Sequence, residues 1–172
     1  MRNEHGRTLR AAIWNQFGAA MEMLGNALKA CPDEVWADRT RKPEFWYVAF
    51  HTLFFLDFYL TPPDEEFAPP APFTLDELDP AGLMPERVYT KDELREYLSH
   101  GREKCRAVIA GLTEDRAWEV QKFHSIEGTA VEILLYNLRH VQHHAGQLNL
   151  MLRERADMGS RWVSRAATTI GT

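Results

Sequence analysis

Residues 129–155 read TAVEILLYNLRHVQHHAGQLNLMLRER, and this stretch decides the fold class. Its apolar positions recur at alternating steps of three and four residues: Val131, Leu134, Leu138, Val141, Ala145, Leu148 and Leu152. Such an unbroken seam is typical of one helix in a helical bundle, because side chains at these spacings lie on a single face. A long helix of this kind needs partners that cover its apolar face.

Three further stretches predict such partners, at about residues 8–30, 43–60 and 90–112. The prolines Pro62 and Pro63 end the second, and Thr90 with Glu93 forms a capping box that begins the third. No stretch shows strand alternation together with hairpin signals. The sequence therefore predicts an all-α chain, a four-helix bundle that forms a single domain over residues 1–172.

The second predicted helix is apolar nearly all round, so we expect a second cover for it, either the following loop or another subunit. That loop, residues 61–89, holds seven of the nine prolines and is long for a compact domain. Its apolar residues favour an ordered crossover packed on the bundle: Phe67, Phe73, Leu75, Leu78, Leu83 and Met84. A lid over a pocket is the alternative. The tail, residues 160–172, carries Trp162 and Val163 and is expected to dock a short segment.

Composition excludes several classes of partner. The 172 residues, 45% hydrophobic and 26% charged, suit one globular domain. The net charge is -5 and Lys and Arg do not cluster, so neither nucleic acid nor a membrane is an expected partner. The first residues are polar and predict no signal peptide. With only Cys31 and Cys105 there is no disulfide framework, and the expected location is the cytoplasm.

Three of the seven histidines form a candidate metal site. His140 and His144 lie about 40° apart on one face of the last helix, beside its apolar seam, because successive residues turn by about 100°. His143 is turned to the other side, toward solvent or the rim of the bundle. His51 lies in the middle of the apolar second helix, where its ring nitrogens need partners. Three imidazoles can hold a divalent metal and leave one coordination position open, as in catalytic zinc sites.

A purely structural interpretation of these histidines stays open. A His-x-x-x-His pair on a helix often has no function, and a single histidine on an apolar helix is often a hydrogen-bonded core residue. That interpretation predicts that no metal binds and that His51→Ala is tolerated. The metal interpretation predicts one divalent ion, lost together in variants of His51, His140 and His144. Three imidazoles suit several first-row ions.

Residues 128–148, GTAVEILLYNLRHVQHHAGQL, resemble the last bundle helix of the damage-inducible, YfiT-related DinB-like family of metal-binding four-helix bundles. His51, with the aromatic run after it, is similar to that family's first metal ligand. The resemblance covers nearly the whole chain and implies a bundle, often dimeric, that binds zinc or nickel through His51, His140 and His144. Many members have Arg after the paired histidines, where this chain has Ala145. Related proteins include bacillithiol transferases and mycothiol-dependent isomerases.

An enzyme is the first functional hypothesis. A metal with an open position can acidify water or a thiol, which suits a metal-dependent hydrolase or a transferase that uses a low-molecular-weight thiol. Either reaction acts on a small molecule and needs a proton acceptor, for which the candidates are Glu44, His143 and His124. Asn137 and Gln147 flank the ligands and can orient them or a water.

A non-catalytic metal-binding protein that forms a homodimer is the alternative hypothesis. Leu135 and Leu150 fall outside the seam of the last helix, and exposed aliphatic residues mark contact surfaces when they cluster. A symmetric dimer is the usual assembly for such a surface. The two hypotheses differ in the surroundings of the metal, since an enzyme needs a cavity at the open position that is reachable from solvent.

Overall fold

The computed structural model describes residues 2–123 and 126–170. Within these ranges the chain forms six α-helices and one β-hairpin in this order: α1 (Arg2–Ala30), α2 (Asp33–Ala37), α3 (Phe45–Phe58), α4 (Lys91–Ala110), α5 (Glu114–Ala117), β1 (Val120–Phe123), β2 (Ile126–Thr129) and α6 (Ala130–Ala156). A short 3-10 turn, Asp76–Leu78, lies within the crossover between α3 and α4. The predicted all-α fold class is confirmed, and the hairpin is a small addition to it.

Helices α1, α3, α4 and α6 form the bundle. α1 packs against α4 and α6, and α3 packs against the same two helices, so α1 and α3 lie diagonally opposite each other. The α6 seam faces the core, where Val141, Ala145 and Leu148 are fully buried. The four predicted helices and the long crossover between the second and third of them are therefore present. No helix in the described ranges is long and apolar enough to cross a membrane.

The crossover supplies the second cover that α3 requires. Phe67 packs on Phe54 and Phe73 packs on Phe50, with ring centroids 5.2 and 5.9 Å apart. Of the six apolar residues that favoured a packed crossover, these two aromatic ones pack on the bundle, whereas the four aliphatic ones are exposed: Leu75, Leu78, Leu83 and Met84. Aromatic rings near the middle of the loop are thus enough to hold it, and the aliphatic residues stay at the surface.

The β-hairpin and the short helices α2 and α5 were not predicted, and the expectation of no strand was wrong. The two strands pair antiparallel, with Val120 opposite Thr129 and Phe123 opposite Ile126. Phe123 and Ile126 join a small apolar cluster with Phe58 of α3. The hairpin therefore packs on the C-terminal end of α3. Each strand has four residues, which is too short for an alternating pattern to stand out in the sequence.

The C-terminal tail docks along α1. The backbone N–H of Ala166 donates to a carbonyl of α1 at 2.9 Å, and the buried indole of Trp14 donates to the Thr168 carbonyl at 2.7 Å. A Cβ added at Gly18 would meet the Ala166 Cβ at 2.6 Å, so the tail approaches the helix closely there. Trp162, one of the two apolar tail residues noted in the sequence, is 71% exposed. The docked segment is therefore centred on Ala166.

Gly18→Ala is expected to destabilise the protein, although alanine in a helix is normally more favourable than glycine by about 0.5–1 kcal/mol. The added methyl group displaces the tail through its collision with Ala166. Gly146→Ala is the matched control, since this α6 position has open space around it and should give the normal gain. Urea denaturation measures both variants. Combining Gly18→Ala with Ala166→Gly should restore stability, and a stabilising effect of Gly18→Ala alone would contradict the docked tail.

Candidate metal centre

Helices α3 and α6 bring three histidines to one point. His51 lies in the middle of α3, and His140 and His144 lie one turn apart on α6. The Nε2 atom of His140 lies 3.4 Å from Nε2 of His51 and 3.1 Å from Nε2 of His144. Ligand nitrogens arranged tetrahedrally at about 2.0–2.1 Å from a zinc ion are about 3.3 Å apart. The three imidazoles therefore have the spacing of a single metal site.

Hydrogen bonds on the far side of two rings determine which nitrogen faces this point. Nδ1 of His51 lies 2.6 Å from Oε2 of Glu77, and Nδ1 of His144 lies 2.7 Å from Oε1 of Gln147. A carboxylate and an amide oxygen only accept hydrogen bonds, so each Nδ1 carries the proton and donates it. Nε2 of both neutral rings then presents a lone pair to the centre, as metal coordination requires.

Burial keeps His140 and His144 neutral. Burial, together with the neighbouring histidines, lowers the pKa of His140 to about 3. Burial also lowers the pKa of His144, although its hydrogen bond to Gln147 acts in the opposite direction. Both rings are therefore uncharged at neutral pH and able to coordinate a cation.

Two buried atoms near these rings have no hydrogen-bonding partner within the described part of the chain. They are Nδ1 of His140 and Oδ1 of Asn137, one turn earlier on α6.

Three Nε2 atoms that face one another cannot satisfy each other by hydrogen bonding. Nε2 of His51 and Nε2 of His144 are both acceptors, and His140 can donate one proton to only one of them. A divalent ion held by these three residues would accept all three lone pairs, with the His140 proton on Nδ1. The donor set therefore fits a divalent transition metal, since imidazole is a ligand for zinc, nickel, copper and iron.

Aromatic rings pack against the three histidines, which all remain partly exposed. Phe55 and Tyr59 pack against His140, with ring centroids 5.7 and 6.1 Å away. The site is not sealed, because 28% of the His51 side chain is exposed. A shallow concavity of about 660 Å³ lies elsewhere, beside His100 on α4, and none of the three imidazoles lines it. Access to the imidazoles is thus from the surface near His51.

Two of the proton acceptors suggested by the sequence, Glu44 and His143, lie outside the cluster of three histidines. Glu44 accepts a hydrogen bond from the Trp46 indole and pairs with Arg39 and Lys42, which precede α3. His143 is exposed on α6, as expected, with its ring centroid 5.0 Å from that of His144. His124 lies outside the described residues. No catalytic base is therefore assigned.

The residues that hold the ligands were predicted only in part. Gln147 orients His144, as expected, whereas Asn137 donates to a backbone carbonyl of α3 at 3.0 Å instead of holding a ligand. Glu77 is the site residue that sequence reasoning missed. Its signal was indirect: His51, on an apolar helix, requires an acceptor, and Glu77 lies in an acidic pair of the crossover.

A comparison with known families agrees with this arrangement. The family model described as the DinB superfamily matches residues 15–148. The matched range begins within α1 and ends within α6, and it contains all three histidines of the candidate site. No curated protein and no solved structure matches the chain.

Proposed function

Because the chain belongs to the DinB superfamily, we propose that it holds one divalent transition-metal ion, zinc or nickel, through Nε2 of His51, His140 and His144. The observation that carries this proposal is the convergence of the three Nε2 atoms, with separations of 3.1 and 3.4 Å. The acceptors Glu77 and Gln147 support it, because each accepts a hydrogen bond from the far nitrogen of one ring, which keeps the proton there and leaves the near nitrogen free to bind.

The metal site is proposed to be catalytic. Three protein ligands leave a coordination position free, whereas structural zinc sites use four. An ion held in this way supplies Lewis acidity, which lowers the pKa of a coordinated water or thiol and polarises a carbonyl oxygen. The chain itself orients the ligands through Glu77 and Gln147, and Phe55 and Tyr59 exclude water from the side of His140 that they cover. Metal-dependent hydrolysis and thiol transfer both fit this arrangement.

Of these two reactions, transfer of a low-molecular-weight thiol fits better. Among the described residues no carboxylate or cysteine joins the three histidines, and Glu77 lies behind His51 on its Nδ1 side. Without a protein base, a thiol with an ordinary pKa of about 8.5 loses its proton more readily than water, at about 15.7. The sulfur then bonds to an electrophilic carbon, the proton passes to solvent, and the leaving group departs with the electron pair of the broken bond.

A non-catalytic, metal-binding homodimer is the second candidate. Helix α6 exposes Leu135, Tyr136 and Leu150, with 45%, 37% and 53% of their surface accessible. Large apolar side chains on the outer side of one helix suit a contact surface between two copies. In that function the ion stabilises the bundle, and its remaining coordination position plays no part.

Cobalt(II)-substituted protein is expected to change its visible absorption spectrum when azide or 2-mercaptoethanol is added. The free coordination position accepts the added ligand, and the spectrum of the ion responds to the change in its ligands. Spectrophotometric titration measures the response. His143→Ala serves as the control and should behave like the wild type, because His143 is exposed beside the site. A spectrum unchanged at saturating azide and thiol would contradict the catalytic role and favour the homodimer.

A further inference from the structure

Glu77 reaches the metal centre from the crossover. It lies in the 3-10 turn Asp76–Leu78, and its side chain is only 4% exposed. Oε2 is 2.6 Å from Nδ1 of His51, whereas Oε1 is buried without a hydrogen-bonding partner among the described residues. A buried carboxylate with one unsatisfied oxygen is costly unless positive charge lies nearby.

The side chains around Glu77 do not supply that charge. Burial, a hydrogen bond to Glu77 and the charge of that carboxylate raise the pKa of Tyr47 to about 12, so this neighbour is a neutral phenol that supplies no positive charge. Within the described ranges, the salt-bridge contact of Glu77 is with His51, whose ring carries a charge only when both of its nitrogens are protonated. A divalent ion on Nε2 of His51 would supply the charge through the ring, and it would make the Nδ1–H a stronger donor to the carboxylate.

The turn that carries Glu77 is attached to α3 through the Glu77 side chain, which contacts His51 and Tyr47. Its neighbours Leu75 and Leu78 are 49% and 39% exposed. The hydrogen bond from the backbone N–H of Leu78 to the carbonyl of Leu75, at 2.9 Å, lies within the turn itself. Burial of apolar side chains therefore does not attach this part of the crossover to α3. The polar contact between Glu77 and His51 provides that attachment instead.

We propose that Glu77 is a positioning residue of the metal centre, which holds His51 so that Nε2 faces the ion and which links docking of the crossover to metal binding. This inference rests on the proposed metal site. Glu77 acts through His51, because a carboxylate bonded to Nδ1 lies on the opposite side of the ring from Nε2. Linkage is reciprocal, so an ion that favours the docked crossover is bound more tightly when the crossover is docked.

The zinc affinity of the full chain, measured by competition with a chromophoric chelator, tests this inference. Glu77→Ala should weaken zinc binding about 10–100-fold, the usual cost of removing the partner of a ligating histidine. Glu77→Gln retains an acceptor oxygen without the charge, so its affinity should lie between those of the wild type and Glu77→Ala. Glu86→Ala is the control, because it removes an exposed carboxylate of the same crossover and should bind zinc like the wild type.

Hydrogen exchange measured by mass spectrometry separates positioning from a general loss of structure. Zinc should slow exchange at residues 74–79 in the wild type but not in Glu77→Ala, while the bundle helices exchange alike in both. If Glu77→Ala does not fold, the isosteric Glu77→Gln is compared with the wild type in its place. Equal zinc affinities in the wild type and the Glu77 variants would overturn this inference and leave the metal site intact. Failure of the wild type to bind zinc would overturn the metal site itself.

Discussion

Replacing His144 with alanine is expected to strip the protein of its metal. The affinity for zinc should fall by more than about 100-fold, because loss of only the partner of a ligating histidine already costs about 10–100-fold. His144 supplies one of the three converging nitrogens, and its Nε2 lies 3.1 Å from that of His140. Elemental analysis of the purified protein should find about one equivalent of metal in the wild type and a trace in the variant.

His143→Ala is the matched control for that experiment. His143 neighbours His144 on α6 but is exposed to solvent, so its removal deletes an imidazole without deleting a proposed ligand. This variant should retain the wild-type metal content. Wild-type metal content in His144→Ala, or an equal loss in both variants, would contradict the assignment of the ligands.

Lys104→Met is expected to lower the free energy of unfolding by about 3 kcal/mol, because removing one partner of a buried ion pair leaves the other charge unpaired. Asp57 of α3 is 1% exposed, and its Oδ1 lies 2.6 Å from Nζ of Lys104 on α4. Tyr97 donates to the other carboxylate oxygen at 3.2 Å, which does not replace the charge. The Lys104 side chain is 27% exposed, so the loss should lie near the lower end of the range for buried pairs.

Arg95→Met provides the comparison on the same helix. Arg95 pairs with Asp92 at 3.0 Å, but both residues are exposed, so the pair contributes little to stability. Urea denaturation of the metal-free proteins at neutral pH measures both effects. Equal free energies of unfolding for Lys104→Met and Arg95→Met would contradict this prediction. They would show that the ion pair between Asp57 and Lys104 is not needed to keep α3, the helix of His51, packed on α4.

The long helices were predictable because each has a strong local signal. The capping box of Thr90 and Glu93 places the start of α4, and both of its hydrogen bonds are present. The seam around Val141 places α6 in the bundle core. The short elements between α4 and α6 lack such signals, because helix α5 and each strand of the hairpin have only four residues. Their positions depend on packing against the finished bundle, for example through Phe123.

The site was predictable where helix geometry alone fixes the side chains. His140 and His144 share a face of any regular helix, so their proximity follows from their spacing. The meeting of His51 with them requires α3 to pack beside α6, which the resemblance to the DinB-like family implied and which the structure shows. Glu77 was not predictable, since its position depends on the path of a proline-rich loop with no regular pattern.

Anomalous diffraction at the absorption edge of the bound metal, from crystals of the full chain grown with zinc or nickel, tests the central claim most directly. We expect a single strong peak about 2.0–2.1 Å from Nε2 of His51, His140 and His144. A peak at other side chains would contradict the claim. So would the absence of a peak between the three rings in crystals that contain the metal.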